Sequence, residues 1–303
     1  MTLNLSDTQR RLGAYFGTEV VGLRVLASGW ETTVFEFCTA TSGSREKVPG
    51  GSPLVLRYYE GSRATEKGTR ESTIMQRLAD INFPLPRPYL FEPDPEPIGA
   101  PFLIMDRISG RPLFSVCAFP RAFKTFSLGF IGFVREQVRL HRLGINGRVA
   151  AGEGRSSVNP AAASDALPLL ERIFRLIEER IEAGPLPGLR DGLNCLLSRA
   201  ARYSPASTGL VHMDYHPQNV MVSGLRVTGI LDWVNADYGD RYLCAATTAV
   251  ILSTTAMERP RWMSENIAGK SLRALFASLY LPLYNAAAPM ELERFRHAQG
   301  VAA

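Results

Sequence analysis

The chain has 303 residues, of which 46% are hydrophobic and 21% charged, a composition that is ordinary for a globular protein. A chain of this length usually exceeds one hydrophobic core, so we expect two lobes or domains. The net charge of +5 is spread along the chain without a run of five like charges, so we expect no nucleic-acid partner.

The cysteines and the apolar segments favour a cytoplasmic protein. The four cysteines lie far apart and form no Cys-x-x-Cys pair, which argues against a disulfide framework and favours reduced thiols. The first residues lack the apolar segment of a signal peptide. The uncharged run 242–257 is too short and too rich in Thr and Ser to cross a bilayer. We therefore predict a buried helix there and no membrane partner.

The first elements along the chain are a helix and several strands. The sequence SDTQ at 6–9 has the pattern of a capping box and Gly17 that of a helix stop, which predicts a short helix. The segment 20–37 has β-branched and aromatic residues around a Ser28-Gly29 turn, which predicts a β-hairpin. The segment PLVLRYY at 53–59 predicts the next strand.

A second helix and a proline-rich stretch follow. Spacing typical of a helix predicts one over 63–79. The residues that carry this spacing are Glu71, Ile74, Met75 and Leu78. Seven of the twenty prolines fall within 82–101, which leaves room only for turns and an edge strand. FLIMDRI at 102–108 predicts a strand that ends in a turn.

From residue 108 onward the pattern becomes mostly helical. Apolar residues at helical spacing predict helices over 121–143 and 165–183, and the composition of 150–164 predicts a loop between them. Beyond residue 233 we predict helix to the end of the chain. The fold class is therefore α+β with two lobes. We place the boundary between the lobes after residue 107.

The segment LVHMDYHPQNVMVSGLRVTGILDW, at 210–233, sets polar residues between apolar runs. Two short strands around a turn would place Asn219 and Asp232 opposite each other, about 4.5–5.5 Å apart, at the open end of a hairpin. Asp214 lies on the loop just before them. A carboxylate and an amide oxygen suit Mg²⁺. Asp214 is then free to accept a proton from an attacking hydroxyl.

A phosphate donor requires further groups, and the first third of the chain offers candidates for them. Arg57 is the candidate cation for the phosphates, and Glu71 on the next helix could hold it by an ion pair. Gly29, at the tip of the first hairpin, would let the backbone approach phosphate. The backbone amides of Asp106 and Ile108 would face adenine.

The motif HMDYHPQN at 212–219, followed by ILDW at 230–233, resembles the aminoglycoside phosphotransferase family, relatives of choline kinase. The similarity extends over most of the chain, including the Gly29 hairpin, the VLR strand and the PFLIMDRISGRPL stretch. It implies a bilobal protein-kinase-like fold with a small antiparallel sheet in the N-lobe and a mostly helical C-lobe. In that fold 1–107 would be the nucleotide-binding lobe, and 108–303 the helical lobe with the catalytic loop and the acceptor site. The chain lacks the G-x-G-x-x-G and Ala-Pro-Glu signals of protein kinases, which favours a small-molecule kinase.

The resemblance also implies roles for individual residues. Asp214 would be the catalytic base or orienting group, and Asn219 and Asp232 would bind Mg²⁺. Arg57 would contact the phosphates of ATP or GTP in place of the usual Lys, with Glu71 as its partner. A second departure from the family lies at Cys244, near the position of an Asp that supports the catalytic loop.

Other interpretations of these residues remain open at this stage. His212, Asp214 and His216 could form a metal site. Asp214, Asn219 and Asp232 could be turn or cap residues. Gly29 could be only a turn, Arg57 a surface residue and Glu71 an ordinary acid near a helix start. We expect His212 to hold the loop through a backbone hydrogen bond and His141 to be a half-buried core residue.

We therefore predict a phosphotransferase that uses ATP or GTP with Mg²⁺ and a hydroxylated small molecule as acceptor, in a monomer or a homodimer. The alternatives are a nucleotide-binding pseudokinase or scaffold without turnover, and a protein kinase. Residues 111–202 carry fourteen Arg or Lys against eight Asp or Glu. This balance argues against a polycationic aminoglycoside and leaves sugars, amino alcohols and macrolides open.

Overall fold

The computed structural model describes residues 4–29, 32–40, 48–113, 121–143, 168–184, 186–200, 208–254 and 267–303. The chain divides into two units, which differ in architecture. The first comprises Met1–Gly110 with Thr228–Val234, and the second Arg111–Val227 with Asn235–Ala303. The assignment of nucleotide binding to 1–107 and of catalysis to 108–303 stays a prediction.

An antiparallel sheet of five strands forms the centre of the first unit. Its strands follow the order β1-β2-β3-β5-β4. Their bounds are β1 Val20–Ser28, β2 Thr32–Thr39, β3 Leu54–Tyr59, β4 Pro88–Glu92 and β5 Phe102–Asp106. The hairpin around Ser28-Gly29 and the edge position of the proline-rich strand are as the sequence predicts, because proline can sit in a sheet only where its missing N–H is not needed.

The first helix, α1 (Leu5–Phe16), begins before the predicted cap. Asn4 is the N-cap residue, and its side chain accepts from the backbone N–H groups of Ser6, at 3.1 Å, and Asp7, at 3.3 Å. The expected capping role of Ser6 is therefore wrong, since the Asn4 side chain already satisfies these N–H groups. Gly17 ends the helix with a φ of 64°, as predicted, because glycine adopts this left-handed conformation without strain.

Helix α2 (Ala64–Asp80) packs on the sheet and closely matches the predicted helix. Its buried face holds Ile74, Met75 and Leu78, and Glu71 lies on the same face. A Cβ on Gly68 would lie 2.3 Å from the Phe91 ring and 3.1 Å from the Tyr59 ring. Glycine at position 68 therefore allows the helix to approach β3 and β4 closely.

The second unit is mostly helical. Its helices are α3 Arg121–Leu143, α4 Leu169–Ala183, α5 Arg190–Ala200, α6 Arg241–Thr254, α7 Ile267–Ala287 and α8 Leu292–Ala302. The predicted bounds of α3 are confirmed, and α4 begins four residues later than predicted, at Leu169. The predicted loop over 150–164 lies outside the described residues. The buried helix predicted over 242–257 is α6, in which seven residues are buried.

Several short strands lie within the segment at 210–233 or pair with it. They are β6 Arg111–Pro112, β7 Thr208–Val211, β8 Val220–Ser223, β9 Arg226–Ile230 and β10 Asp237–Asp240. The predicted hairpin corresponds to β8 and β9, which are neighbours in a three-stranded sheet. The prediction of unbroken helix after residue 233 is wrong, because β10 pairs with β7 from Asp237–Val211 to Asp240–Thr208. Among the described residues, no helix is both long and apolar enough to cross a membrane.

The close packing of α2 on the sheet can be tested with Gly68→Ala. We expect a lower midpoint of thermal unfolding, because overpacking of this kind costs about 1–3 kcal/mol. Gly192→Ala in α5 is the matched control, since a Cβ there meets nothing within 4 Å. Alanine is favoured over glycine in a helix by about 1 kcal/mol, so the control should match or exceed the wild-type midpoint. Equal midpoints for the two variants would contradict the close approach of α2.

Candidate active site

In the first unit, the guanidinium of Arg57 lies between two carboxylates. Its Nη2 donates to Asp232 Oδ1 at 2.6 Å, and its Nε lies 3.2 Å from Glu71 Oε2. The side chains of Arg57 and Glu71 are 7% and 1% exposed, and that of Asp232 is 34% exposed. The ion pair predicted between Arg57 and Glu71 is therefore present, and it extends to a third residue.

Glu71 is held by groups from three parts of the first unit. Besides Arg57, it accepts from the hydroxyl of Tyr59 at 2.8 Å and from the backbone N–H of Trp233 at 3.1 Å. Its position in the middle of α2, and its burial, rule out the alternative of an ordinary exposed acid near a helix start. The contact with Trp233 instead fixes the backbone next to Asp232.

Asp232 has an unusual backbone conformation, with a φ of 63°. A residue other than glycine in this region costs about 1–3 kcal/mol and persists only when its surroundings enforce it. Trp233 enforces it here, because it is fully buried, donates from Nε1 to Ile230 O at 2.8 Å and packs edge-on against Phe83. In this backbone conformation the Asp232 carboxylate lies next to Arg57.

The charges in this cluster keep Arg57 protonated. Burial alone would lower the pKa of the Arg57 guanidinium, but attraction by Glu71 and Asp232 outweighs it, and the pKa is raised. The buried Nε of Arg57 faces Glu71 Oε2 at 3.2 Å without an aligned hydrogen bond in the described part of the chain, so this contact is an ion pair.

In the second unit, Asp214 lies on the loop that follows β7. Its backbone N–H donates to Nδ1 of the fully buried His212 at 3.3 Å. The expected structural role of His212 is confirmed by this contact. The preceding residue, Met213, has a φ of 61°, so the loop is locally strained. His141, which we expected to be half-buried, is instead almost fully buried at 3% exposure.

The side chains of Asn219 and His216 surround the Asp214 carboxylate. Asn219 Nδ2 donates to Asp214 Oδ2 at 3.2 Å and to Asp214 O at 3.0 Å, and His216 Nε2 lies 3.4 Å from Asp214 Oδ1. His216 Nδ1 accepts from the N–H of Gln218 at 3.3 Å, which orients the ring. Because Asn219 uses its nitrogen on Asp214, its side-chain oxygen remains as the acceptor.

The surroundings of Asp214 keep it ionised. Burial alone would raise the pKa of this carboxyl group, but the hydrogen bond and charge of His216, the charge of His212 and the hydrogen bond from Asn219 outweigh it. The pKa of Asp214 is therefore below its ordinary value of 3.8. The group is a carboxylate at neutral pH and a weak base.

A buried thiol contacts the loop that carries Asp214. Cys244, on α6, accepts from the backbone N–H groups of Met213 and His212. Gln137 Nε2 lies 3.7 Å from its sulfur. Burial raises the pKa of the Cys244 thiol, so the sulfur acts here as a neutral acceptor. Cys244 thus contacts the loop that carries Asp214, as its expected position near that loop implies.

Two further residues of this network were missed by sequence reasoning. Gln137 Nε2 donates to Thr248 Oγ1 at 2.8 Å, and Tyr280 donates to Gln137 Oε1 at 2.6 Å. Thr248 Oγ1 then donates to Tyr215 O at 2.9 Å, next to Asp214. The only sequence signal is that Gln137 and Thr248 are polar residues within otherwise apolar helix faces.

The structure gives less support to the other predicted nucleotide contacts. A Cβ on Gly29 would lie 3.6 Å from Thr32 O, which is an ordinary contact, so no neighbour requires glycine there. The N–H of Asp106 is used within the unit, because it donates to Arg87 O at 3.0 Å. Ile108 packs against Gly229. The nucleotide contacts of Gly29, Asp106 and Ile108 stay predictions.

The oxygen atoms available in the two clusters fit Mg²⁺. Asp232 offers a partly exposed carboxylate, and Asn219 an amide oxygen whose nitrogen is already bound. Both are hard donors, as Mg²⁺ requires. In the described part of the chain, no three His, Cys, Asp or Glu side chains are grouped as metal ligands, so a metal site at His212, Asp214 and His216 is not supported. A charged guanidinium, an ionised carboxylate and hard oxygen donors are groups of the kind that phosphoryl transfer uses.

Comparisons with known proteins agree with this chemistry. The sequence model of the phosphotransferase enzyme family, APH, matches residues 22–274. No curated protein matches the chain significantly in sequence.

Solved structures show the same fold. A candidate aminoglycoside phosphotransferase from Ralstonia eutropha aligns with a TM-score of 0.63 and 19% identity, over 97% of this chain and 84% of that chain. A thermostable mutant of aminoglycoside phosphotransferase APH(4)-Ia, in a ternary complex with AMP-PNP and hygromycin B, aligns with a TM-score of 0.60 and 17% identity. This alignment covers 98% of this chain and 89% of that chain. Macrolide 2′-phosphotransferase MphH from Brachybacterium faecium aligns with a TM-score of 0.58 and 17% identity, over 98% of this chain and 87% of that chain. The predicted bilobal, kinase-like α+β fold is confirmed.

Glu71→Ala should lower the midpoint of thermal unfolding strongly. Removing one partner of a buried ion pair costs about 3–5 kcal/mol, because it leaves a buried charge uncompensated. Glu66→Ala, on the same helix, is the matched control. Glu66 pairs with Arg63 at the surface, where both side chains are more than half exposed, and such a pair contributes about 0–1 kcal/mol. Similar midpoints for the two variants would show that Glu71 does not hold Arg57 and the backbone at Trp233.

Proposed function

Because this chain belongs to the phosphotransferase enzyme family, we propose that it transfers the γ-phosphoryl group of ATP or GTP to a hydroxyl group of a small molecule. The observation that carries the proposal is Asp214, a carboxylate kept ionised and oriented on a loop within the matched residues. The proposal includes a cytoplasmic enzyme that is a monomer or a homodimer.

The nucleotide is assigned to the first unit. Arg57 would bind its phosphates, since this guanidinium stays charged and presents a planar fork of donors that suits phosphate. Glu71 would hold Arg57 in place from the opposite side. Gly29 would lie near the phosphates. Asp106, whose N–H is already used, would contact the base through its carbonyl oxygen, and Ile108 through its N–H.

Asn219 and Asp232 would be the protein ligands of Mg²⁺. Their oxygen atoms suit a cation that usually keeps several waters and completes its coordination with phosphate oxygens. When bound, Mg²⁺ would supply neutralisation of the charge on those phosphate oxygens. The hydrogen bond from Asn219 Nδ2 to Asp214 also ties the predicted metal ligand to the predicted base.

Asp214 would orient the acceptor hydroxyl and take up its proton. A carboxylate whose pKa lies below 3.8 cannot remove a hydroxyl proton before the phosphoryl group begins to transfer. In a loose transition state the proton moves late, so orientation of the nucleophile is the larger contribution of such a group. His216 and Asn219 support that role, because they hold both carboxylate oxygens.

For the acceptor, we propose a neutral or anionic hydroxylated compound or a macrolide rather than a polycationic aminoglycoside. The excess of fourteen basic over eight acidic residues within 111–202 supports this choice, because a polycation binds best to an acidic surface. The alternative of a pseudokinase without turnover is not favoured, since Asp214, Asn219 and Asp232 are all present.

Asp214→Asn should abolish turnover while leaving nucleotide affinity close to wild type, since Asp214 would act on the acceptor and not on adenine. ADP release from Mg-ATP is measured against pools of sugars, amino alcohols, macrolides, aminoglycosides and nucleosides. Asp191→Asn, at an exposed position of α5, is the control and should retain full activity. Equal turnover in wild type and Asp214→Asn, or release with no pool despite nucleotide binding, would count against the proposed function.

His216→Gln should shift the pH dependence of kcat/KM. His216 lowers the pKa of Asp214, so its removal raises that pKa and protonates the base at a higher pH. Activity of the variant should therefore fall earlier as the pH decreases, and the acid limb should move towards neutrality. His297→Gln in α8 is the control and should keep the wild-type acid limb. Superimposable acid limbs for wild type and His216→Gln would disprove the role of His216.

A further inference from the structure

We propose that Arg57 blocks Asp232 from free divalent cations until a nucleotide arrives, so that metal and nucleotide enter the site only together. The proposal rests on the proposed function, because it takes Asp232 as a metal ligand and Arg57 as a phosphate ligand. It adds an order of binding that neither assignment implies. Arg57 thereby becomes the counterion of the metal carboxylate in the nucleotide-free protein.

The geometry places Arg57 directly on the carboxylate. Its Nη2 donates to Asp232 Oδ1 at 2.6 Å, which is a short, charge-assisted hydrogen bond. The guanidinium is 7% exposed and the carboxylate 34% exposed, so water screens this contact only in part. A divalent cation on the same carboxylate would approach a fixed positive charge and be repelled by it.

The carboxylate cannot easily turn away from Arg57. One oxygen of Glu71 pairs with Arg57, and the other accepts from the backbone N–H of Trp233, the residue after Asp232. Arg57 contacts Glu71, and Glu71 contacts Trp233. Trp233 follows Asp232 in the chain, and Asp232 contacts Arg57, so these residues form a closed ring. Since Trp233 is fully buried, this ring holds Asp232 in its strained conformation with its carboxylate on Arg57.

The residue type at position 57 is important for this ring. The guanidinium is a planar fork, so its Nε and Nη2 reach Glu71 and Asp232 at the same time. A lysine ammonium is a single point charge and would pair chiefly with the more deeply buried Glu71. Lysine at this position would therefore leave Asp232 open to a metal ion.

A nucleotide would release the block. Its phosphates bring several negative charges and compete with the Asp232 carboxylate for the donors of the guanidinium. As Arg57 turns its donors to phosphate, its hold on Asp232 weakens, and the carboxylate becomes available to the cation that accompanies the nucleotide. Binding of the two ligands is then positively coupled.

Binding of Mn²⁺ to the full chain, measured by calorimetry, tests the proposal without any turnover. For wild type without nucleotide, we expect binding as weak as in Asp232→Asn. Asparagine also tolerates a positive φ, so this variant removes the charge and keeps the backbone. With AMP-PNP present, Asp232→Asn should bind Mn²⁺ at least about tenfold more weakly than wild type, a free-energy difference of about 1.4 kcal/mol.

Arg57→Lys is the second variant to compare with wild type in the Mn²⁺-binding experiment. It should bind Mn²⁺ without nucleotide at least about tenfold more tightly than wild type, and Arg57→Lys with Asp232→Asn should lose that gain. Arg70→Lys is the matched control, because Arg70 donates to Val234 O and should leave Mn²⁺ binding unchanged. Circular dichroism checks that each variant is folded, and if Arg57→Lys is not, the comparison of wild type with Asp232→Asn still decides the question.

The outcomes separate the two proposals. Asp232-dependent binding of Mn²⁺ to wild type without nucleotide would overturn the block and leave the proposed function intact. A folded Arg57→Lys variant that binds Mn²⁺ no more tightly than wild type would also overturn the block, if Asp232→Asn weakens Mn²⁺ binding in the presence of AMP-PNP. If Asp232→Asn has no effect with AMP-PNP either, Asp232 is not a metal ligand, and both the block and the metal assignment fail.

Discussion

The burial of one positive charge, that of Arg57, organises the first unit. Moving an ion out of water costs several kcal/mol even after the surroundings relax, so a buried guanidinium needs anionic partners at short range. Glu71 and Asp232 supply them from α2 and from the segment that returns to this unit after β9. The hydrogen bond from the Trp233 N–H to Glu71 links these two partners to each other, and Asp232 adopts its strained conformation beside them.

The second unit stabilises the carboxylate of Asp214 in a different way. Asp214 is surrounded by hydrogen-bond donors rather than by a single counterion, and its loop rests on buried polar side chains of α3 and α6. Donors around a carboxylate stabilise its ionised form and fix its orientation. The arrangement suits a group that must meet an incoming hydroxyl, because Asp214 is not neutralised by a permanent ion pair with Lys or Arg among the described residues.

Sequence patterns predicted the features that depend on local spacing. The bounds of α3, the β8–β9 hairpin and the ion pair between Arg57 and Glu71 follow from periodicity and motif context. The pairing of β7 with β10 was missed, since residues 237–240 have little strand character and gain it only from a partner far away in sequence. The bridge from Arg57 to Asp232 was missed for the same reason, because it joins side chains 175 positions apart.

A crystal structure of the full chain with AMP-PNP and Mn²⁺ would show whether Asp232 exchanges Arg57 for a metal ion. We expect an anomalous scattering peak bound by the side-chain oxygens of Asn219 and Asp232 and by phosphate oxygens. We also expect Arg57 to contact phosphate and to remain paired with Glu71. Bound nucleotide with Arg57 still on Asp232, and no metal at either ligand, would contradict both assignments.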